Sequence, residues 1–159
     1  MISLSPTPET RQQIGEFLAL IDQLSAPPED AIRPIQEAIR AGFAANFDNE
    51  AAGEAPWGEL TNFTQRERRR LGFPPAHPIL ERTGRYRRSF TEESALNHVS
   101  EYTTAGGRWV IAEGSQDERA EELEYGRFDM PGRPVTVLGP TGEQRIGIML
   151  DLMFAEWIE

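Results

Sequence analysis

The chain has 159 residues, 26 of them acidic and 16 basic, for a formal net charge of -10, and every basic residue is Arg. A chain of this size buries one core, so a single domain, 1–159, is expected. The absence of Lys excludes a phosphate-loop lysine, a Schiff base and a Lys general base, and the absence of Cys excludes a thiol nucleophile, a disulfide framework and Cys-ligated metal.

The only imidazoles, His77 and His98, have no metal-ligand spacing. No metal, no cofactor and no enzymatic role is therefore expected. No segment supplies roughly 18 consecutive apolar residues, so a protein made in a cytoplasm, without a membrane span, is expected.

Thr7, Pro8 and Glu9 form a helix start, and Ile14, Phe17, Leu18, Ile21 and Leu24 recur at helical spacing as far as Ser25. Pro27 and Pro28 break the pattern. A second helix opens at Glu29 and Asp30 and carries Ile32, Ile35, Ile39, Phe43 and Phe47, with Pro34 expected in its first turn. The short connection predicts an antiparallel hairpin over 1–47, each helix burying one stripe.

Residues 48–60 read as an acidic, Gly-containing loop. Trp57 within it either folds back over the core edge or anchors a partner. Residues 61–72 predict a short helix, capped by Thr61 or Thr64 and stopped at Gly72, with Arg66, Arg68, Arg69 and Arg70 on it. Arg82, Arg85, Arg87 and Arg88 follow. Positions 66–88 hold eight Arg against Glu67 and Glu81, a net +6, which leaves -16 on the rest of the chain.

That basic band has three readings: contact with another protein, a solvated face, or contact with nucleic acid. Beyond it, a strand is expected near Tyr86–Glu93. His98–Thr104 and Arg108–Ala112 predict a hairpin turned by Ala105, Gly106 and Gly107, with His98 as a strand-face residue. Residues 115–128 predict an acidic helix capped by Ser115 or Asp117 and ended by Gly126. Its Glu118, Glu121, Glu122 and Glu124 read as a solvated face rather than as metal ligands or an acid/base pair.

A strand is predicted at Arg133–Leu138. The last helix, with Thr141 as cap, aligns Ile146, Met149, Leu150, Met153, Phe154 and Trp157, and leaves Ile148, Leu152, Ala155 and Ile158 outside that stripe. Such a helix is either wedged inside the domain or offers a second face to another subunit. The fold class expected is α+β: an N-terminal helix pair and a C-terminal helix on a small, mostly antiparallel sheet. The subdivisions are 1–47, 48–90, 91–139 and 140–159.

Three blocks carry a resemblance. "HPILERTGRYRRSF" (77–90) is similar to the P-I-L-x-x-T-G-x-L-x-x-S signature of the phage virion-morphogenesis or tail-completion family, through Pro78, Ile79, Leu80, Thr83, Gly84 and Ser89. "EYGRFDMPGRPVTVLG" (124–139) resembles its later block through Gly126, Pro131, Arg133 and Pro134, and Trp57, Leu60 and Thr64 resemble its W-x-x-L-x-x-x-T stretch. Order and spacing agree over roughly residues 40–140. Tyr86 stands where Leu is usual, and Arg119 and Leu123 where Tyr and His are common.

The resemblance implies a non-enzymatic virion component of the neck or tail, which completes or terminates the tail and joins it to the head connector as a ring, commonly six-fold. Its implied partners are copies of itself, head-connector or stopper and tail-tube proteins, and duplex DNA passing through the lumen. In this picture the Arg band of one subunit meets the Glu118–Glu124 surface of the next, a heterologous contact that closes a ring. A different class remains open: a small acidic adaptor or nucleic-acid-binding regulator using residues 64–73 as an arginine-rich recognition helix.

Overall fold

The computed structural model describes residues 8–105, 108–127 and 130–158. The predicted cap Thr7, the turn residues Gly106 and Gly107, Phe128, and the side chains of Leu24, Trp157 and Ile158 lie outside what is described. The architecture is α+β. It consists of α1 (Pro8–Ser25), α2 (Glu29–Asn49), β1 (Ala51–Ala52), β2 (Ala55–Pro56), α3 (Asn62–Arg70), α4 (Arg85–Thr91), β3 (His98–Ala105), β4 (Arg108–Ser115), α5 (Ala120–Tyr125), β5 (Gly126–Arg127), β6 (Met130–Pro131) and α6 (Pro140–Ile158). The strands pair as three separate antiparallel ribbons, β1 with β2, β3 with β4 and β5 with β6, rather than as one sheet.

α2 is the spine. Its stripe of Ile32, Ile35, Phe43 and Phe47 is buried, and it serves two apolar clusters. In one, Ile32 and Ile35 meet Tyr102, Trp109 and Ile111 of the β3–β4 ribbon and Met149 and Met153 of α6. In the other, Phe43 and Phe47 meet Trp57, Ile79, Tyr86, Phe90 and Val135. Pro34 lies inside α2, not in its first turn. The helix forgoes the one hydrogen bond that Pro34 cannot donate, and the burial of Ile32 holds the preceding turn in place.

The helical hairpin of 1–47 differs from expectation at α1. Ile14, Phe17, Leu18 and Ile21 are 43–62% exposed, and α1 touches α6. The reason lies in α2, whose inner stripe is already covered by the ribbon and by α6. α6 itself begins at Pro140, so Thr141 sits inside it and is not its cap. One side of α6 packs on α2, while Ile148 and Leu152 are 49% and 56% exposed. The helix is therefore not wedged inside the domain, and its second side is exposed.

The β3–β4 ribbon runs in register from His98↔Ser115 to Ala105↔Arg108, longer than the pattern predicts at both ends. The predicted strand over 86–93 is instead α4. Tyr86, Ser89 and Phe90 are buried at i, i+3 and i+4, a helical spacing, and Gly84 starts the turn at φ 69°. A Cβ on Gly84 would meet only the mobile tip of the exposed Arg88 side chain, so the positive φ, not space, is what favours glycine here.

The predicted strand at Arg133–Leu138 does not form either. Its backbone groups are satisfied by side chains. Asn46 Nδ2 donates to the Val135 and Val137 carbonyls, both at 2.7 Å, and the Val135 and Thr136 N–H groups donate to Glu124 at 2.9 and 3.2 Å. The acidic helix shortens to α5. Ser115 belongs to β4, and Asp117 accepts from the Arg119 N–H just before the helix starts.

Candidate functional site

Leu60 leads into α3, which Thr61 caps by accepting from the Thr64 N–H at 3.2 Å. The helix turns Arg68 inward, where its Nη2 donates to the Pro78 carbonyl at 2.9 Å. Pro78 follows a cis peptide bond, and Leu80 adopts φ 63°, a left-handed conformation that a branched side chain rarely takes. On the far side, Gly126 at φ 80° starts β5 and pairs with Pro131 of β6; a Cβ there would fall 2.6 Å from the Met130 carbonyl oxygen and the Gly132 nitrogen.

A solvent-open cavity of about 260 Å³ lies between α3, α4, α5 and β6. Leu60 and Thr64 come from the first motif block, Leu80 and Thr83 from the second, Pro131 and Arg133 from the third. Arg68, Arg82, Tyr86, Arg119, Leu123 and Met130 complete the lining, and no described residue of it carries a carboxylate. The remaining motif residues stand behind it. Ile79 and Ser89 are 1% and 0% exposed, and Trp57 lies edge-on to Phe47 at 5.8 Å and donates from Nε1 to the Pro134 carbonyl at 3.1 Å. Trp57 thus folds back over the core. Arg133, also buried, donates to the carbonyls of Gly58 and Glu59.

Two polar atoms of the cavity's residues are orphans. Tyr86 Oη and Arg68 Nε are buried without a hydrogen-bond partner, in side chains of residues only 3% and 7% exposed. Burial, followed by the charges of Glu124 and Asp117, pushes the Tyr86 phenol up from its ordinary value, with Arg119 acting against them. The hydroxyl therefore stays a donor at neutral pH. Burial lowers the Arg133 guanidinium from its usual value, yet Arg remains a cation. For Asp117, burial alone raises the carboxyl; the Arg119 side-chain and backbone hydrogen bonds, with the charges of Arg119 and Arg85, outweigh it and hold the group below the ordinary carboxylate range.

The residues expected at a subunit contact divide sharply. Arg68 is inside; Arg70 pairs with Glu67, Arg87 with Glu81 and Asp48, and Arg85 lies 4.0 Å from Asp117. Glu122 pairs with Arg127, and Glu124 holds the 135–136 backbone. Arg66, Arg69 and Arg88 on one side and Glu118 and Glu121 on the other are exposed and form no ion pair among the described residues.

A buried polar network joins α2 to the ribbon, and the sequence reading did not contain it. Arg40 Nη1 donates to both Glu113 oxygens at 3.2 Å, Ser100 Oγ to Glu113 Oε1 at 2.6 Å, and Gln36 Nε2 to Ser100 Oγ at 3.1 Å. His98 turns Nδ1 to the Ser89 carbonyl at 3.0 Å and places Nε2 3.4 Å from Glu113. The signal was available in part: Arg40 follows Gln36 by one turn on the inner side of α2, and Ser100 faces Glu113 across the ribbon.

Among the described residues no group of three His, Asp or Glu side chains is placed to hold a metal ion, and no helix is long and apolar enough to cross a membrane. Comparison with protein-family models, with curated proteins and with solved structures finds no match to this chain.

Proposed function

We propose that this chain is a structural virion protein of a phage neck or tail, one that completes or terminates the tail and joins it to the head connector by assembling as a ring. The observation that carries the reading is the open face of α1. Ile14, Phe17, Leu18 and Ile21 are 43–62% exposed, and α6, which α1 touches, exposes Ile148 and Leu152. An apolar helix stripe left uncovered fits a contact surface, and a ring supplies each subunit with the missing cover.

Two further features support it. The three motif blocks that resemble the tail-completion family meet around one cavity, so they act as one structural unit. The unpaired Arg66, Arg69 and Arg88 against Glu118 and Glu121 provide charges of opposite sign for neighbouring copies. The recognition-helix alternative loses ground on α3 itself, where Arg68 is buried and Arg70 is held by Glu67.

The test is assembly. The wild-type chain at rising concentration, or mixed with its connector and tail-tube partners, is expected to form closed rings in negative-stain images. Phe17→Asp with Leu18→Asp, and separately Arg69→Glu with Arg88→Glu, are expected to leave folded monomers. Rings of undiminished yield in both variants, or normally joined virions from phage lacking the protein, would overturn the reading.

A further inference from the structure

Beside the cavity of the motif blocks, and sharing Arg82 and Arg119 with it, lies a second, solvent-open groove of about 560 Å³. Arg82 precedes α4, Arg85 and Arg88 stand on it, and Asp117, Glu118 and Arg119 come from the segment that leads into α5. Four guanidiniums against two carboxylates leave the groove at +2, on a chain whose net charge is -10. Cations gathered in one place repel one another, so the arrangement costs free energy until an anion joins them.

The groove is also organised from within. Asp117, whose side chain is 3% exposed, accepts at Oδ1 from Arg119 Nε at 3.2 Å, and its Oδ2 lies 4.0 Å from Arg85 Nε. One buried carboxyl thus ties together guanidiniums from two separate segments, and both contacts run through Nε. The Nη groups of Arg85 and Arg119 have no hydrogen-bond partner among the described residues, and these side chains are 56% and 52% exposed. Arg82 offers the face of its guanidinium to the Phe73 ring at 5.7 Å, which leaves the N–H edges open, and Arg88 forms no ion pair among the described residues. No aromatic or aliphatic side chain lines the groove, so a base or an acyl chain would have nothing to pack against.

From this we infer that the groove is a binding site for phosphate groups, whose non-bridging oxygens accept from the free donors of Arg82, Arg85, Arg88 and Arg119. A phosphate presents its acceptors as a tetrahedron and carries up to two negative charges, which suits donors arriving from separate segments and a groove at +2. A carboxylate carries one charge and presents two oxygens in one plane. The groove is complete within one subunit, so the inference does not rest on assembly as a ring.

The same chemistry reaches the site from two sources: a free phosphate, or the backbone of a nucleic acid, which displays its phosphates outward and needs no contact to the bases. Calorimetric titration of the full chain at physiological salt with inorganic phosphate, with a short blunt DNA duplex and with a Glu-rich peptide tests it. Binding of a phosphate probe is expected, with the peptide at least about ten-fold weaker than the tighter of the two. Arg82→Gln with Arg88→Gln, which leaves the Asp117 contacts in place, is expected to weaken phosphate by about ten-fold or more, as befits hydrogen bonds to a charged group; Arg85→Gln alone is expected to act in the same direction. Arg70→Gln, in the same arginine band but outside the groove and held by Glu67, is expected to bind as the wild type does. Tighter binding of the duplex assigns a nucleic-acid backbone, and tighter binding of inorganic phosphate assigns a small phosphate compound. Four results would each overturn the inference: no binding of either phosphate probe, a peptide as tight as the phosphates, an unchanged affinity in the Arg82 and Arg88 double variant, or an equal loss in Arg70→Gln.

Discussion

Replacing Tyr86 by Phe removes a single oxygen and leaves the ring stack intact: Phe90 at 5.1 Å and Phe47 at 6.0 Å touch the ring, not the hydroxyl. An ordinary buried Tyr loses stability on this change, because its hydroxyl has a partner. Here Oη has none, so the folded protein carries an unpaired donor whose burial costs about 1–3 kcal/mol. Tyr86→Phe is therefore expected to be more stable than wild type by about 1 kcal/mol once the lost dispersion contacts of the oxygen are subtracted. For a chain of this length that corresponds to a melting temperature higher by about 2–4 °C. Thermal unfolding followed by circular dichroism in the absence of ligand measures it. A melting temperature lower by 2 °C or more would refute the reasoning, since the hydroxyl would then have an acceptor in the free protein.

Arg40→Met leaves Glu113 buried without its cation and is expected to cost about 3–5 kcal/mol, read from urea unfolding; a loss under about 1 kcal/mol would mean that the network is not closed in solution. Asn46→Ala removes three hydrogen bonds, to Val135, Val137 and Gly53, and is expected to cost about 2–4 kcal/mol by the same assay, with faster proteolysis in 133–138. Gly126→Ala forces a Cβ onto the Met130 carbonyl and is expected to destabilise by more than about 1 kcal/mol; an unchanged melting curve would refute the close approach. Asp117 is held below its ordinary value, so its contribution to stability is complete above about pH 4 and falls away as the pH drops through the lower folded value. Asp117→Asn is expected to flatten that acid limb; an acid limb as steep as the wild type's would contradict it.

α2, α6 and the β3–β4 ribbon were legible because their apolar residues repeat with the period of the element for at least two turns or several alternations. α4 was not, although Tyr86, Ser89 and Phe90 already have helical spacing, because seven residues give too short a run against three Arg and a preceding Gly. The 133–138 segment looks like a strand, Val135 and Val137 included, yet its hydrogen-bond partners are Asn46, 89 residues away for Val135, and Glu124. No local pattern encodes a side chain standing in for a neighbouring strand. The candidate site was half visible for the same reason: its residues belong to recognisable blocks, but the cavity exists only once the blocks meet. Arg40 was hidden likewise, since its partner Glu113 lies 73 residues further on.

The open stripe of α1 makes the order of that helix a matter of mass action. An 18-residue helix is only slightly longer than those that are marginal in water on their own, and within the subunit α1 leans on α6 alone among the major contacts. Its opening free energy should then lie far below that of α2, and its amide hydrogens should exchange first. Any neighbour that covers Phe17 and Leu18 adds its binding free energy to the closed form, so protection of α1 rises with protein concentration while that of α2 stays fixed. The first helix would then report, amide by amide, how many of its own kind surround it.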